Sequence, residues 1–204
     1  SQIQGELGLT QVEAGWLTAA YSMTNACMAL LVYKFRQQFG IRRFTRVILI
    51  GFVAMSAAQL LAHSYWTELA VRAGGGIVAS GLSTLCLFYF MQSMPAKMRL
   101  AGLVLGVGTS QVALPLARAI SPLLLADGNL HNLHLFEFGL TLICLAGVSL
   151  LTLPPSERMD AFEPLDFLTF MLFAPGMALL SAVLVQGRIQ WWTAAPRLGW
   201  ALVG

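Results

Sequence analysis

Six apolar stretches, each of about the length that crosses a membrane, dominate this chain and constrain its fold. They occupy most of its 204 residues: Ala14–Tyr33, Val47–Ala62, Leu69–Met91, Leu100–Leu125, Leu135–Leu153 and Phe167–Val185. Because hydrocarbon cannot satisfy free backbone N–H and C=O groups, each stretch is predicted to form an α-helix. A further apolar stretch begins at Leu198. The predicted fold class is therefore an all-α polytopic membrane helix bundle with about six complete transmembrane helices and the start of a seventh.

The composition agrees with a lipid environment. Hydrophobic residues make up 57% of the chain and charged residues 10%, and the mean hydropathy is +0.73. Soluble domains carry about 25% charged residues, so a soluble globule of this composition is excluded. The net charge of +3 does not indicate nucleic-acid binding, because five of the twelve basic residues lie between residues 34 and 46. The lipid bilayer is the expected partner, and no nucleic acid is.

No arrangement of residues indicates catalysis or a cofactor. The three cysteines are isolated within apolar stretches, and the three histidines, at or in predicted outer loops, lack partners at metal-ligand spacing. Most carboxylates, Glu68 among them, are scattered through predicted loops. Glu137 and Asp166 are interpreted as carboxylates near helix N-termini. We therefore expect no enzyme, no metal site and no cofactor.

The distribution of Lys and Arg predicts the orientation of the bundle. Eight of these residues lie in three alternate loops: 34–46, 95–99 and 154–164. Two lie in the other loops: 1–13, 62–68, 126–134 and 186–197. Since basic loops stay on the cytoplasmic side, the first set is predicted to be cytoplasmic, and Ser1 is predicted on the outer side of the inner (plasma) membrane.

Polar residues inside the apolar stretches are the candidates for a substrate or proton pathway. Arg72 and Arg118 each place a guanidinium within an apolar stretch. Insertion of such a charged group near the bilayer centre costs roughly 2.5–3.5 kcal/mol. Each either contacts an ion or substrate, or extends to the interface and braces a neighbouring helix. Gln111 shares one helix face with Pro115 and Arg118, and Tyr21 and Asn25 form a polar patch on the first span. Both sets either line a channel or hydrogen-bond between helices.

Small residues recur at four-residue spacing in the middle of the chain. Gly76 and Ser80 form one such ridge, and Gly102 and Gly106 form another. Such ridges let helix backbones approach closely in lipid, and the interruption at Pro115 predicts a bend. These five residues are therefore predicted to serve helix packing.

Two segments in the first half of the chain stand in an order typical of one family of membrane proteins. Ile3–Leu9, followed by Trp16 and Tyr21, is similar to that family's outer loop and the start of its second helix. Gly40, with Arg42 and Arg43 after it, is similar to the loop between its second and third helices. Gln37 stands at the position of the aspartate that is usual in that loop.

Further motifs follow along the chain. Arg72 with Gly76 resembles the fourth-helix motif R-x-x-Q-G, with Gly75 in place of the glutamine. Asp166 at the start of a span and Gly187 at its end resemble the seventh helix. The chain thus resembles the N-terminal half of a major facilitator superfamily transporter, in the fourteen-span drug:proton antiporter branch and without the first helix.

The resemblance implies a division of the chain and a function. Residues 1–153 would form an N-terminal transmembrane bundle, 154–166 a cytoplasmic connection, and 167–204 a further transmembrane helix, an outer loop and the start of the next helix. It implies proton-coupled efflux of small amphipathic compounds by alternating access, with Arg72 linked to proton coupling and the 34–46 loop to gating. The expected partners are the small-molecule substrate, protons and the missing C-terminal half of the same transporter. Whether a periplasmic adaptor binds stays open.

One expected motif is absent. The fifth-helix antiporter sequence G-P-x-x-G-G should fall at Arg118–Leu123 and is not found there. Two alternatives therefore stay open beside proton-coupled efflux. One is a non-transporting or degenerate membrane protein, and the other is a metabolite facilitator without proton antiport.

Overall fold

The computed structural model describes residues 8–124, 130–151, 164–187 and 196–203. Within these ranges the chain forms helices and no strand. The α-helices are α1 (Gln11–Phe39), α2 (Ile41–Leu61), α3 (Tyr65–Ser93), α4 (Arg99–Leu124), α5 (Leu130–Leu150), α6 (Pro164–Gln186) and α7 (Pro196–Val203). A short 3-10 turn, Ala96–Met98, precedes α4. Each of the six predicted spans corresponds to one of the helices α1 to α6, and α7 covers the start of the predicted seventh.

Two helices begin with side chains that cap their free backbone groups. The hydroxyl of Thr10 accepts from the backbone N–H of Glu13, whose carboxylate accepts from the backbone N–H of Thr10. The hydroxyls of Ser64 and Thr67 form the same reciprocal box at the start of α3. These boxes satisfy donors that an isolated helix start leaves open, so both helices begin several residues before their apolar stretch.

The connection between α1 and α2 is shorter than the predicted loop over 34–46. That prediction was wrong, because α1 continues to Phe39 and α2 begins at Ile41. Gly40 separates them with φ 76° and ψ 154°, a conformation open essentially to glycine alone. Its N–H donates to the Arg36 carbonyl and its carbonyl accepts from the Phe44 N–H. One glycine therefore reverses the chain and leaves the flanking basic residues on helices.

Helix α3 lies at the centre of the described bundle, where it packs against α1, α2 and α4. α1 also packs on α6, and α2 packs on α5. The largest group of buried apolar side chains joins α1, α2 and α3: Val32, Ile41, Phe44, Ile48, Val78 and Leu85. At the end of α1, the Lys34 ammonium pairs with the Asp166 carboxylate of α6 at 3.2 Å.

Close helix contacts occur at several of the predicted small residues. A Cβ on Gly76 would collide with the Tyr21 carbonyl and the Thr24 hydroxyl, and would lie 3.1 Å from the Asn25 nitrogen. The same atom on Gly102 would lie 2.6 Å from the Phe90 carbonyl of α3. These two glycines therefore allow α1 and α4 to approach the backbone of α3.

The remaining three predicted packing residues lie in different surroundings. A Cβ on Gly106 would lie 3.1 Å from the Leu87 side chain. Ser80 is buried at 3% exposure. Pro115 is exposed on α4, which continues through it.

Five helical segments are long and apolar enough to cross a membrane: Ile41–Leu61, Tyr65–Ser93, Ala96–Leu123, His131–Leu150 and Leu165–Gln186. α1 falls outside this set, because polar residues such as Tyr21 and Asn25 interrupt its apolar stretch. Large apolar side chains cover the outer faces, as with Leu100 of α4 at 74% exposure. The predicted all-α polytopic bundle is confirmed by these helices together with the family match given below.

Some predicted features lie outside the described residues. They are the Ile3–Leu7 part of the outer-loop motif, part of the predicted loop 126–134, most of the predicted connection 154–166, and most of the predicted loop 186–197.

Candidate functional site

A buried carboxylate distinguishes one end of the bundle. Glu68 lies in the first turn of α3, and its backbone N–H donates to the Ser64 carbonyl at 2.9 Å. The residue is 3% exposed. The interpretation of Glu68 as a loop residue was wrong, because the capping box starts α3 at Tyr65, ahead of the apolar stretch. We call this end, where α1, α3 and α5 begin and α2 finishes, the Glu68 end.

Both carboxylate oxygens of Glu68 have a partner. Oε1 accepts from Arg72 Nε at 3.1 Å, across one turn of α3. Oε2 accepts from the Gln59 amide in the last turn of α2. A charge taken out of water is tolerated when it is paired and hydrogen-bonded. Gln59, Glu68 and Arg72 therefore form a charged cluster between α2 and α3.

Arg72 keeps hydrogen-bonding capacity after this pairing. A guanidinium carries five N–H donors, and Glu68 receives a hydrogen bond from the Nε group alone. Within the described part of the chain the two Nη groups donate to no further partner. The Arg72 side chain is 34% exposed, so these donors can meet a ligand or water.

Tyr21 of α1 is placed beside this cluster. Its ring lies 3.9 Å from the position of a Cβ on Gly75, three residues along α3 from Arg72. The phenol is within electrostatic range of Arg72 and of Glu137 in α5. Glu137 lies seven residues beyond the start of α5, about two turns into the helix, and so further from the N-terminus than predicted. The structure therefore brings Tyr21 and Arg72 together, at the level of a second carboxylate.

Asn25 lies where α1 crosses α3. Its backbone nitrogen faces Gly76, and the neighbouring Thr24 hydroxyl donates to the Ala73 carbonyl of α3 at 2.8 Å. This interhelical bond holds α1 against α3 within one turn of Tyr21. The polar patch of the first span thus lies at a helix contact as well as beside the charged cluster.

The predicted seam on α4 lies apart from the charged cluster. Gln111, Pro115 and Arg118 are all exposed on α4. α4 contacts α3 through its other side, at Gly102 and Gly106. The structure does not bring the seam into contact with Glu68 or Arg72.

The four predicted gating residues lie at the opposite end of the bundle. Gln37 is half-buried near the end of α1, and Gly40 is the buried break. Arg42 and Arg43 are exposed in the first turn of α2. They are therefore separated from the Glu68 cluster by most of the length of α2, about 25 Å at 1.5 Å per residue.

Sequence reasoning missed Glu68 and Gln59. The spacing of Glu68 and Arg72 is i, i+4, which on a helix brings the two side chains together. The Ser64 and Thr67 pair that starts the helix was the available signal. Gln59 could be found only from the pairing of α2 with α3. The described residues contain no group of three His, Cys, Asp or Glu side chains that could hold a metal ion.

Comparison with known families identifies the architecture. A family model described as the Major Facilitator Superfamily matches residues 1–203 of the chain. The chain belongs to the Major Facilitator Superfamily. It is therefore a multi-pass membrane protein of the major facilitator transporter type. Searches of curated proteins and of solved structures give no match.

Proposed function

We propose that this protein is a proton-coupled exporter of small amphipathic compounds, drugs among them, that works by alternating access in the inner (plasma) membrane. The observation that carries the proposal is the buried Glu68 carboxylate, which lies in a membrane-spanning helix and pairs with Arg72. Ionisable side chains buried in transmembrane helices are uncommon, and one with a named partner is a candidate for an ion or substrate path. Because the Lys and Arg distribution predicts Ser1 on the outer side, we assign the Glu68 end to the outer face of the membrane.

Coupling follows from the chemistry of the pair. A proton on Glu68 removes the negative charge that holds Arg72, and so weakens the ion pair. Arg72 can then turn its donors toward the exposed side, where Tyr21 lies. Loss of the proton restores the pair and withdraws the guanidinium. Proton binding to Glu68 is thereby linked to a change in the substrate path through the Arg72 side chain.

The exposed seam of α4 supplies a second wall of the proposed path. A guanidinium such as Arg118 is costly against lipid tails, so it normally faces protein or a water-filled cavity. Gln111 and Pro115 lie on the same face. We assign this seam to the aqueous side of the α4 helix, facing the second helical bundle with which alternating access works.

The residues at the opposite end are assigned to gating. Gly40 sets the angle between α1 and α2, and Lys34 joins α1 to α6 through Asp166. A change in the angle of α1 therefore moves α6 as well. Gln37, Arg42 and Arg43 lie at this junction, and we propose that they contact the second bundle when the cytoplasmic side closes.

Transport in proteoliposomes tests the role of Glu68. Proteoliposomes that contain the full-length protein are loaded with cationic and anionic fluorescent amphipathic dyes. The flux of each dye is measured in two modes. Net efflux is driven by a pH gradient, and dye–dye exchange is measured without one. Glu68→Gln is expected to lower net efflux at least tenfold while exchange is retained, because only the net cycle returns a proton.

Glu13→Gln is the matched control, since it makes the same change in a carboxylate at the same end that lies outside the charged cluster. Its net efflux should stay within twofold of wild type. Normal gradient-driven efflux by Glu68→Gln would contradict the proposal. Wild-type flux that ignores the pH gradient would identify a facilitator instead, and absence of flux for every dye would favour a non-transporting protein.

A further inference from the structure

The break at Gly40 is flanked by two contacts with the end of α3. Four residues before the break, the guanidinium carbon of Arg36 lies 3.5 Å from the centre of the Phe88 ring. Five residues after it, the Thr45 hydroxyl is hydrogen-bonded to the Tyr89 phenol at 2.9 Å. Two consecutive residues of α3 therefore contact both of the helices that meet at the break. We call these four side chains the aromatic clamp.

Aromatic rings hold the α1 side of the clamp. A guanidinium within about 6 Å of a ring centre is attracted to the negative face of the ring. Arg36 meets this condition for Phe88 and also, at 5.5 Å, for Tyr33. The two rings are themselves stacked, with their centres 6.0 Å apart. Arg36 Nε is buried and has no hydrogen-bond partner among the described residues, so the rings position this part of the side chain.

The α2 side of the clamp lies in the protein interior. Thr45 is 2% exposed, so loss of its hydrogen bond to Tyr89 would leave a hydroxyl without a partner and away from water. The Tyr89 side chain also packs against the buried apolar group that contains Ile41 and Phe44. A change in the angle at Gly40 must therefore either carry the end of α3 with it or break the clamp.

Helix α3 connects the clamp with the Glu68 cluster. It is one continuous helix from Tyr65 to Ser93. Phe88 lies twenty residues beyond Glu68, about 30 Å along the helix axis. A packed helix can carry coupling between distant sites as a rigid element. The two ends of α3 therefore hold the ion pair and the clamp in a fixed relation.

We propose that Phe88 and Tyr89 are positioning residues that tie the Gly40 break to α3, and through α3 to the ion pair of Glu68 and Arg72. When a proton on Glu68 weakens that pair, α3 shifts, and the clamp passes the shift to α1 and α2. The inference rests on the proposed function, in which both ends of the bundle take part in one transport cycle. Because the shift starts at the ion pair, a variant that leaves the pair and the clamp intact should not alter the break.

Hydrogen–deuterium exchange of the full-length protein in lipid nanodiscs tests the connection. Exchange is measured at residues 36–45 with and without Glu68→Gln, which is neutral like the protonated carboxyl. In the wild-type background, Glu68→Gln should raise this exchange at least twofold. In the Phe88→Leu background, which lacks the ring, the same change should have no measurable effect. Phe88→Trp retains an aromatic ring and should restore the response, whereas a loss of packing alone would leave the response to Glu68→Gln in place.

Phe90→Leu is the matched control. It makes the same change two residues further along α3, where the Phe90 side chain lies against α4, with its Cβ 3.5 Å from the position of a Cβ on Gly106. Its response to Glu68→Gln should equal that of wild type. Tyr89→Phe removes only the hydroxyl that binds Thr45, so it should abolish the response at residues 41–45 and retain it at residues 36–39. This milder variant carries the test if Phe88→Leu does not fold.

Three results would overturn the proposal. The first is an unchanged response in Phe88→Leu or in Tyr89→Phe. The second is an equal loss of the response in Phe90→Leu, and the third is the absence of any response to Glu68→Gln in the wild-type background. All three are separate from the transport assay, because Glu68→Gln can lower net efflux whether or not exchange at residues 36–45 responds to it.

Discussion

The Glu68 end and the opposite end of the bundle, at the start of α2, differ in how their helices begin. At the Glu68 end, α1 and α3 begin with capping boxes, and the buried carboxylate has a partner for each oxygen. At the other end, α2 begins without a side-chain cap and with Arg42, Arg43 and Arg46 in its first six residues. The difference teaches that a charge buried inside the bundle has its partners within the protein, whereas Arg43 and Arg46 at the start of α2 are exposed, as basic residues at the end of a membrane helix commonly are.

The difference also separates two roles of arginine in one chain. Arg72 is held at 3.1 Å by a buried carboxylate that the protein itself provides. Arg46 is exposed and forms no ion pair within the described ranges. Variants that disturb one end and spare the other therefore test the comparison.

The largest effect on stability is expected from Gly76→Ala. The added methyl group would meet the Tyr21 carbonyl and the Thr24 hydroxyl, so α1 must move away from α3. Overpacking of this kind costs about 1–3 kcal/mol in the free energy of unfolding. Unfolding in mixed detergent micelles measures it. Hydrogen exchange should rise at the Glu68 end and stay unchanged at the start of α2.

Gly108→Ala is the matched control for this change. Gly108 lies in α4 with no atom within 4 Å of an added Cβ. Alanine is the better helix former by about 0.5–1 kcal/mol, so stability should be unchanged or slightly higher. Equal destabilisation by both variants would show that the crossing of α1 and α3 is not the close contact described above.

A smaller effect is expected from acid at the start of α1. Hydrogen bonds from the Thr10 backbone N–H and hydroxyl hold the pKa of the Glu13 carboxyl below its ordinary value of 4.5. Because the folded pKa is the lower one, the stabilisation is present above pH 4.5 and is lost as the pH falls through the folded value. Thermal unfolding should show wild type above Glu13→Gln at pH 7, and the two should converge as the pH falls below the lowered pKa of Glu13. A difference that persists in acid would contradict the capping role.

The long helices could be predicted from the sequence because lipid imposes both their length and their hydrogen bonding. The apolar pattern placed the start of α3 at Leu69, so Glu68 was assigned to a loop although the capping box extends the helix to Tyr65. The apolar pattern also assigned residues 34–46 to a loop. Basic residues lower the hydropathy of a segment, but they do not end a helix. Within that range only Gly40 interrupts the helical structure.

The contacts between helices could not be predicted from the sequence. Gln59 reaches Glu68 because α2 and α3 are antiparallel with one particular register. The cleft between the start of α2 and the end of α5 forms only because these two helices pack together, although they lie about a hundred residues apart in the chain. Spacing along one helix predicted the polar patch at Tyr21, and only the packed structure places that patch beside Arg72.

The coupling free energy between Glu68 and Arg72 tests the central claim most directly. It is obtained from the unfolding of wild type, Glu68→Gln, Arg72→Gln and the double variant in the same micelles. A charge-assisted pair in this setting predicts a coupling of about 1.5–3 kcal/mol, with the double variant more stable than the sum of the single changes predicts. Strictly additive effects would mean that the two side chains do not meet inside the bundle.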